Sequence, residues 1–281
     1  MPIYPYTLVD VFTNRPLSGN PAAVLEGCGG LDAGPLCALM AELRLEGACV
    51  MNTAPWTLRF FAPTAEIPLC GHATLATIVA LGLDSGSRLR TPAGTLDVWR
   101  DGDRAGFRLP RLPAATPVSL DSAADLAAAA GLAEAWLPGS TAWLLHTPAP
   151  MLALPLRDAA CVDALRPAAA AVAASTAAAG AVALVVFAPD GPGRLCQRVF
   201  APALGLEEDF GTGSASAALC LALGGRGLAI RQGDGGGRPA RLEVAPDPGG
   251  GVWVRGAAVV VARGQIALPA GWDGAGTRRE P

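Results

Sequence analysis

"RFFAPTAEIPLCGHATLATIVALGL" occupies Arg59 to Leu83, and "RVFAPALGLEEDFGTGSASAALCLALGG" occupies Arg198 to Gly225. The two stretches are near-copies. Each runs from an Arg-x-Phe-Ala-Pro strand into a glycine-bearing turn and then into an apolar helix. Arg59 aligns with Arg198 at an offset of 139, Gly71 with Gly211 at 140 and Gly82 with Gly224 at 142, which places short insertions in the second copy. The likeness extends upstream. Leu8 to Phe12 and Trp143 to Thr147 read as strands, each followed by a proline-containing loop and a second apolar strand. Apolar helices at Leu36 to Leu43 and Ala168 to Ala179 follow, then strands at Ala48 to Met51 and Val182 to Phe187. A period near 140 residues is too long for a solenoid and indicates duplication of a whole α+β domain.

The helices that end the two copies, Ala73 to Leu81 and Ala215 to Leu223, are apolar on nearly every face. Such a helix is buried all round. Only the strands of its own half are available to bury it, so the expected fold is α+β, with two pseudo-symmetric lobes, each a β-roll wrapped around a central apolar helix. The two sheets are expected to be separate, and a single continuous sheet, or either helix at the surface, would end this reading. The divide falls near "RLPRLPAATP" (Arg108 to Pro117), where three prolines interrupt regular structure. This gives an N-terminal lobe over 1–115 and a C-terminal lobe over 116–281 that ends in a flexible tail. The helix N-termini lie in Cys70-Gly71-His72 and Gly211-Thr212-Gly213-Ser214. Helix N-termini carry free N–H groups and partial positive charge. If the halves face each other, these ends converge on one cleft that suits a small carboxylate.

Composition removes other function classes. The net charge of −3 gives no electrostatic basis for a nucleic-acid partner. The longest apolar run, Pro167 to Ala188, is interrupted by Ser175, Thr176 and Gly180, so no membrane span is expected. The start, Met1-Pro2-Ile3-Tyr4-Pro5, lacks signal-peptide regions, and the expected location is the cytoplasm. All 21 basic residues are arginine. Without lysine there is neither a pyridoxal-phosphate Schiff base nor a Walker A lysine. The seven cysteines are odd in number and show no C-x-x-C spacing, so a disulfide framework or zinc site is not expected. The two histidines, His72 and His146, are far apart in sequence, and His146 reads as structural. No metal and no cofactor are expected.

Four segments then carry a family resemblance. "DVFTNRPLSGNPAAV" (Asp10 to Val24), "ELRLEGACV" (Glu42 to Val50), "FAPTAEIPLCGHAT" (Phe61 to Thr74) and "RVFAPALGLEEDFGTGSASA" (Arg198 to Ala217) resemble the signature segments of PhzF-like isomerases. These are the phenazine-biosynthesis relatives of diaminopimelate epimerase. The resemblance touches both halves in the right order. It implies two β-rolls with the active site between them, no cofactor, and commonly a homodimer. Glu46 matches the family's proton-transferring glutamate, His72 the histidine of its G-H-A/P-T turn, and Asp209 and Ser214 the aspartate and serine of its E-D-P-x-T-G-S motif. Glu46, His72 and Asp209 are thus the candidate catalytic residues. Asn20, Gly71, Gly213 and Ser214 are the candidate substrate-binding residues. Two departures stand out. Phe210 replaces the motif's proline, and Leu45 and Gly47 replace the small hydroxyl residues that flank the glutamate. Both departures are expected to reshape the pocket.

The racemases of this fold use two cysteines, one before each helix turn. Here those positions read as Cys70 and Phe210, so the two-thiol mechanism is broken. Cys70 reads as a small buried residue, although a helix N-terminus lowers a thiol pKa. Glu46 falls in a short turn between helix and strand. The equivalent turn of the second half, Ala177 to Ala183, has no acid, which suggests one acid/base group. A single carboxylate can take a proton from one carbon and return it to another on the same face, given a pKa raised toward neutrality by burial. Asp209 and His72 would orient, and Ser214 would bind a carboxylate with the N–H groups of Gly71 and Gly213. The expected function is a cofactor-independent isomerase of a small unsaturated or cyclic (amino) carboxylate in secondary metabolism. The alternatives are an epimerase or racemase using Glu46 and Cys70, or a catalytically silent metabolite-binding protein.

Overall fold

The computed structural model describes residues 1–53 and 55–269. Most of the tail expected at the C-terminus lies outside them. The first half contains β1 (Ile3–Val11), β2 (Asn20–Glu26), α1 (Ala33–Leu43), β3 (Glu46–Thr53), β4 (Trp56–Phe61), β5 (Glu66–Ile67), α2 (Gly71–Ala80), β6 (Arg88–Thr91), β7 (Gly94–Asp101) and β8 (Arg104–Leu109). The second contains β9 (Thr116–Val118), α3 (Leu120–Ala129), β10 (Ala142–Leu145), β11 (Met151–Pro155), α4 (Ala159–Ala164), α5 (Ala169–Ala178), β12 (Ala183–Pro189), β13 (Arg194–Ala201), β14 (Leu206–Asp209), α6 (Gly213–Ala222), β15 (Leu228–Gln232), β16 (Ala240–Pro246) and β17 (Val252–Ala267).

The pairing repeats. In the first half β1–β2 is antiparallel, β2–β3 parallel, β3–β4 antiparallel and β4–β6 parallel, and an antiparallel ladder runs on through β7 to β8. From β10 to β17 the second half follows the same scheme. Each roll encloses its apolar helix. His72 to Ile78 of α2 are all buried, as are Gly213 and Ala215 to Cys220 of α6. The few hydroxyls inside bond their own helix backbone: Thr74 donates to the Cys70 carbonyl at 2.8 Å and Ser216 to that of Thr212 at 3.0 Å.

The two rolls are not separate sheets, which corrects one part of the expectation. The last strands of the halves, β8 and β17, pair antiparallel, with Phe107 opposite Val254 near the centre of the ladder. Beyond that ladder each half reaches into the other. β9 pairs with β10, and the far part of β17 pairs with β1 from Ala258 to Ala267. Hydrogen bonding therefore joins all 17 strands of the described residues into one sheet.

Side chains fix the register of the repeat. Arg59 forms a two-bond ion pair with Glu66 at 2.8 and 2.7 Å, and Arg198 pairs with Glu208 at the same distances. Each guanidinium also lies 4.9 Å from the centroid of the phenylalanine two residues on, Phe61 or Phe200. The arginines are 139 residues apart and the glutamates 142, so the insertion falls between β13 and β14, where Pro202–Leu204 make a short 3₁₀ turn. α2 starts at Gly71 and α6 at Gly213, again 142 apart. Gly71 thus matches Gly213, not Gly211, and Cys70 matches Thr212, not Phe210. The alternation of glycines in "GTG" offers two alignments, and the cross-strand ion pairs select one.

A second correction concerns cysteine. Cys28 and Cys49 form a disulfide, with Cα atoms 5.9 Å apart. Their separation of 21 residues carries no motif, because the parallel pairing of β2 with β3 is what brings them together. No helix among the described residues is long and apolar enough to cross a membrane.

Candidate active site

Glu46 does not lie in a turn; it is the first residue of β3. α1 ends at Leu43, Arg44 adopts a left-handed backbone at φ 55°, and the strand begins two residues on. Strand alternation then separates the neighbours. Leu45 packs with Met40 of α1. Gly47 faces the same way, and a Cβ there would meet Met40 Sδ at 2.7 Å and the Ala23 carbonyl at 2.8 Å. Both positions pack toward α1 and do not line the cleft.

Glu46, Cys70, Gly71, His72, Asp209, Gly213 and Ser214 line one cavity between the rolls, with a free volume of ≈ 50 Å³. Its walls follow the pseudo-twofold. Cys70 corresponds to Thr212, Gly71 to Gly213 and His72 to Ser214. By the strand registers, Glu46 has Ala183 as its mate and Asp209 has Ile67, both also in the wall. Each half thus contributes one carboxyl group and one apolar residue. The helix starts nearly touch: a Cβ on Gly71 would lie 3.7 Å from the Gly213 Cα. Neither N-cap residue, Cys70 or Thr212, bonds its helix through its side chain, so both ends keep N–H groups for a ligand.

The acid/base cluster is compact. The Cys70 thiol donates to Glu46 Oε2 at 3.0 Å, His72 Nδ1 lies 3.4 Å from the sulfur, and the same nitrogen is 3.7 Å from Glu46 Oε2. All three residues are buried. Burial first, and the charge of Asp209 second, push the Glu46 carboxyl up to about 8, while the thiol hydrogen bond opposes them. Burial and then the Glu46 charge hold the Cys70 thiol well above its usual range, outweighing the helix N-terminus. Burial lowers the His72 pKa against the opposing pull of Asp209, which favours the neutral imidazole. Glu46, Cys70 and His72 each place one possible metal-ligating atom within 4.8 Å of the others.

Asp209 is held by a separate network. Asn20 Nδ2 donates to Oδ1 and the Thr212 hydroxyl to Oδ2, both at 2.5 Å. Gln232 donates to the Thr212 hydroxyl at 3.0 Å and accepts from the Thr212 N–H at 3.0 Å. Gln197 donates to Gln232 Oε1 at 2.7 Å. Asn20 does not line the cavity; its amide serves Asp209 and the Gly211 carbonyl. Thr212, Gln197 and Gln232 were missed in the sequence, where single glutamines in apolar strands give no local signal. Phe210 also lies outside the cavity. A Cβ on Gly236 would meet the Phe210 ring at 2.5 Å, so the ring packs on the opposite side of the strand from Asp209. Larger surface grooves of ≈ 510 and ≈ 880 Å³ contain none of the expected site residues.

The sequence from residue 9 to 264 matches the PhzC-PhzF family model, described as phenazine biosynthesis-like protein. An uncharacterized isomerase of Pseudomonas aeruginosa is 34% identical over 280 residues, covering 92% of this chain and 97% of that one. The trans-2,3-dihydro-3-hydroxyanthranilate isomerase of Pseudomonas chlororaphis is 29% identical over 283 residues, covering 94% and 99%. Among solved structures, a phenazine biosynthesis protein of the PhzF family from Enterococcus faecalis superposes with a TM-score of 0.75 at 27% identity, covering 95% of this chain and 100% of that one.

Proposed function

The chain belongs to the phenazine biosynthesis-like family of isomerases, and from that premise we propose that it moves a proton within a small unsaturated or cyclic amino carboxylate bound between the two rolls. The observation that carries the proposal is a buried carboxyl, Glu46, in the same cavity wall as two uncapped helix N-termini, with burial pushing its pKa up to about 8. The N–H groups at Gly71 and Gly213, with the Ser214 hydroxyl, hold the substrate carboxylate. Asp209, fixed by Asn20 and Thr212, orients the ring through a polar substituent, and neutral His72 offers a hydrogen bond. Ionised Glu46 removes a proton from one carbon, then returns it to a second carbon on the same face as the double bonds shift. The charge that develops spreads along the conjugated system toward the carboxylate, where the helix ends stabilise it. No metal, organic cofactor or nucleic acid takes part. The proposal includes a cytoplasmic homodimer acting in secondary metabolism.

The epimerase alternative pairs Glu46 with Cys70 on opposite faces of one carbon. Their 3.0 Å contact argues against it, since touching groups address the same face. A cavity of ≈ 50 Å³ holds a few waters, whereas ligand pockets run from roughly 300 Å³ upward, so the walls must part to admit a ring. The test is turnover of trans-2,3-dihydro-3-hydroxyanthranilate and related cyclic amino carboxylates. Glu46→Gln keeps the shape but not the base, and should lose about two to four powers of ten in kcat with KM little changed. Cys70→Ala should cost far less. Full activity in Glu46→Gln with a dead Cys70→Ala would overturn the scheme. Tight binding without turnover of any probe would favour the silent binding protein.

A further inference from the structure

We propose that Glu46, Cys70 and His72 form a thiolate–imidazole–carboxylate tripod that binds one zinc ion and thereby shuts the site. Zinc takes sulfur at about 2.3 Å and nitrogen or oxygen at about 2.0 Å, and at tetrahedral angles these lengths set neighbouring donors roughly 3.3–3.6 Å apart. The three donor atoms here stand 3.0, 3.4 and 3.7 Å apart. Shifts of up to about half an ångström, the largest opening the Cys70–Glu46 contact, complete the triangle, with the ion just above its plane. The cavity that all three residues line has room for a water as the fourth ligand. The donor set selects the metal: sulfur with imidazole suits zinc and its neighbours, and hard cations such as magnesium prefer all-oxygen sites.

The step balances without any redox partner. The thiol and the carboxyl each give a proton to solvent, neutral His72 binds through Nδ1, and the site takes up a divalent ion. Zinc then occupies the lone pairs with which Glu46 would accept a substrate proton. Only this consequence, inhibition, rests on the proposed isomerase function; the binding does not. The absence of C-x-x-C spacing hides the site from the sequence. Its ligands come from the start of β3 and from the N-cap and first turn of α2, and the fold brings them together.

Cobalt serves as the visible probe. Chelator-treated protein titrated with Co²⁺ should develop intense tetrahedral d–d bands and a sulfur-to-cobalt charge-transfer band that saturate at one equivalent, and Zn²⁺ should erase them. Cys70→Ser should abolish the charge-transfer band and weaken zinc at least tenfold against a chromophoric chelator. His72→Asn should weaken zinc to a similar extent and provides a second variant if Cys70→Ser is misfolded by circular dichroism. Pale octahedral spectra, or bands and affinities unchanged in either folded variant, would overturn the proposal. These readouts need no substrate, so failure of the isomerase function leaves them intact. Should turnover be found, micromolar zinc should suppress it and a chelator should restore it, and unimpaired turnover with the tripod filled would overturn the inhibitory role.

Discussion

Glu46 carries its proton at a pH where most carboxyl groups have lost theirs. Its folded pKa of about 8 lies above the ordinary 4.5, chiefly because burial penalises the charge. In the proposed mechanism the ionised form is the base, so kcat/KM should rise with pH through about 8. Cys70→Ala removes the hydrogen bond that favours the carboxylate, and the rising limb should move to higher pH; an unmoved limb would mean that another group sets it. Stability runs the other way. A raised carboxyl pKa contributes fully below the unfolded value, and its contribution is lost as pH rises through the folded value. Within that window the loss approaches about 1.4 kcal/mol per pH unit. Glu46→Gln escapes it, so its melting temperature relative to the parent should be higher at pH 8.5 than at pH 5. The identity of this residue was legible in the sequence, from the family segment and from the acid-free turn at Ala177 to Ala183. Its environment was not, because burial and the Cys70 contact arise only when β3 meets the start of α2.

At the scale of elements, the close approach of two helix ends constrains what can stand there. A Cβ on Gly213 would lie 2.8 Å from Val254 Cγ1, and one on Gly71 would lie 3.3 Å from the Phe107 ring. Gly213→Ala should therefore destabilise by roughly 1–3 kcal/mol through overpacking, although alanine favours helix more than glycine does. Val254→Ala makes room, so the two changes should be non-additive in thermal denaturation, with the glycine substitution costing less in the truncated background. Additive losses would show that the clash is relieved elsewhere. The buried helices and duplicated strands were readable from apolar pattern and repetition. The register at the helix turns was not, since "GTG" aligns two ways and only the Arg59–Glu66 and Arg198–Glu208 pairs across strands decide.

For the whole molecule, β17 ties the halves together by pairing with β16, β8 and β1. Unfolding should be a single transition in denaturant, coincident by tryptophan fluorescence and circular dichroism. A fragment of residues 1–118 should not be a folded monomer, because β1 would lose its β17 neighbour and β9 its β10 neighbour. Two separated transitions, or a compact monomeric fragment, would contradict this. The two lobes could be inferred from the repeat, but the exchange of strands between them could not. Pairings such as Ile3 with Ala267 join positions at opposite ends of the described chain, and no local pattern encodes them.

That exchange also carries a history. Two identical chains that each lend a final strand to the other make a swapped homodimer. A linker such as the stretch between Leu109 and Thr116 turns that partnership into one polypeptide whose copies are free to diverge. The cavity wall keeps the ancestry visible: glycine survives at both Gly71 and Gly213, while Glu46 corresponds to Ala183 and Asp209 to Ile67. A symmetric ancestor that carried both acids in each copy would have offered two glutamates and two aspartates, and treated both faces of its ligand alike. Once fused, each copy could drop the group that the other retained, and a site with a distinct left and right emerged from two that were the same.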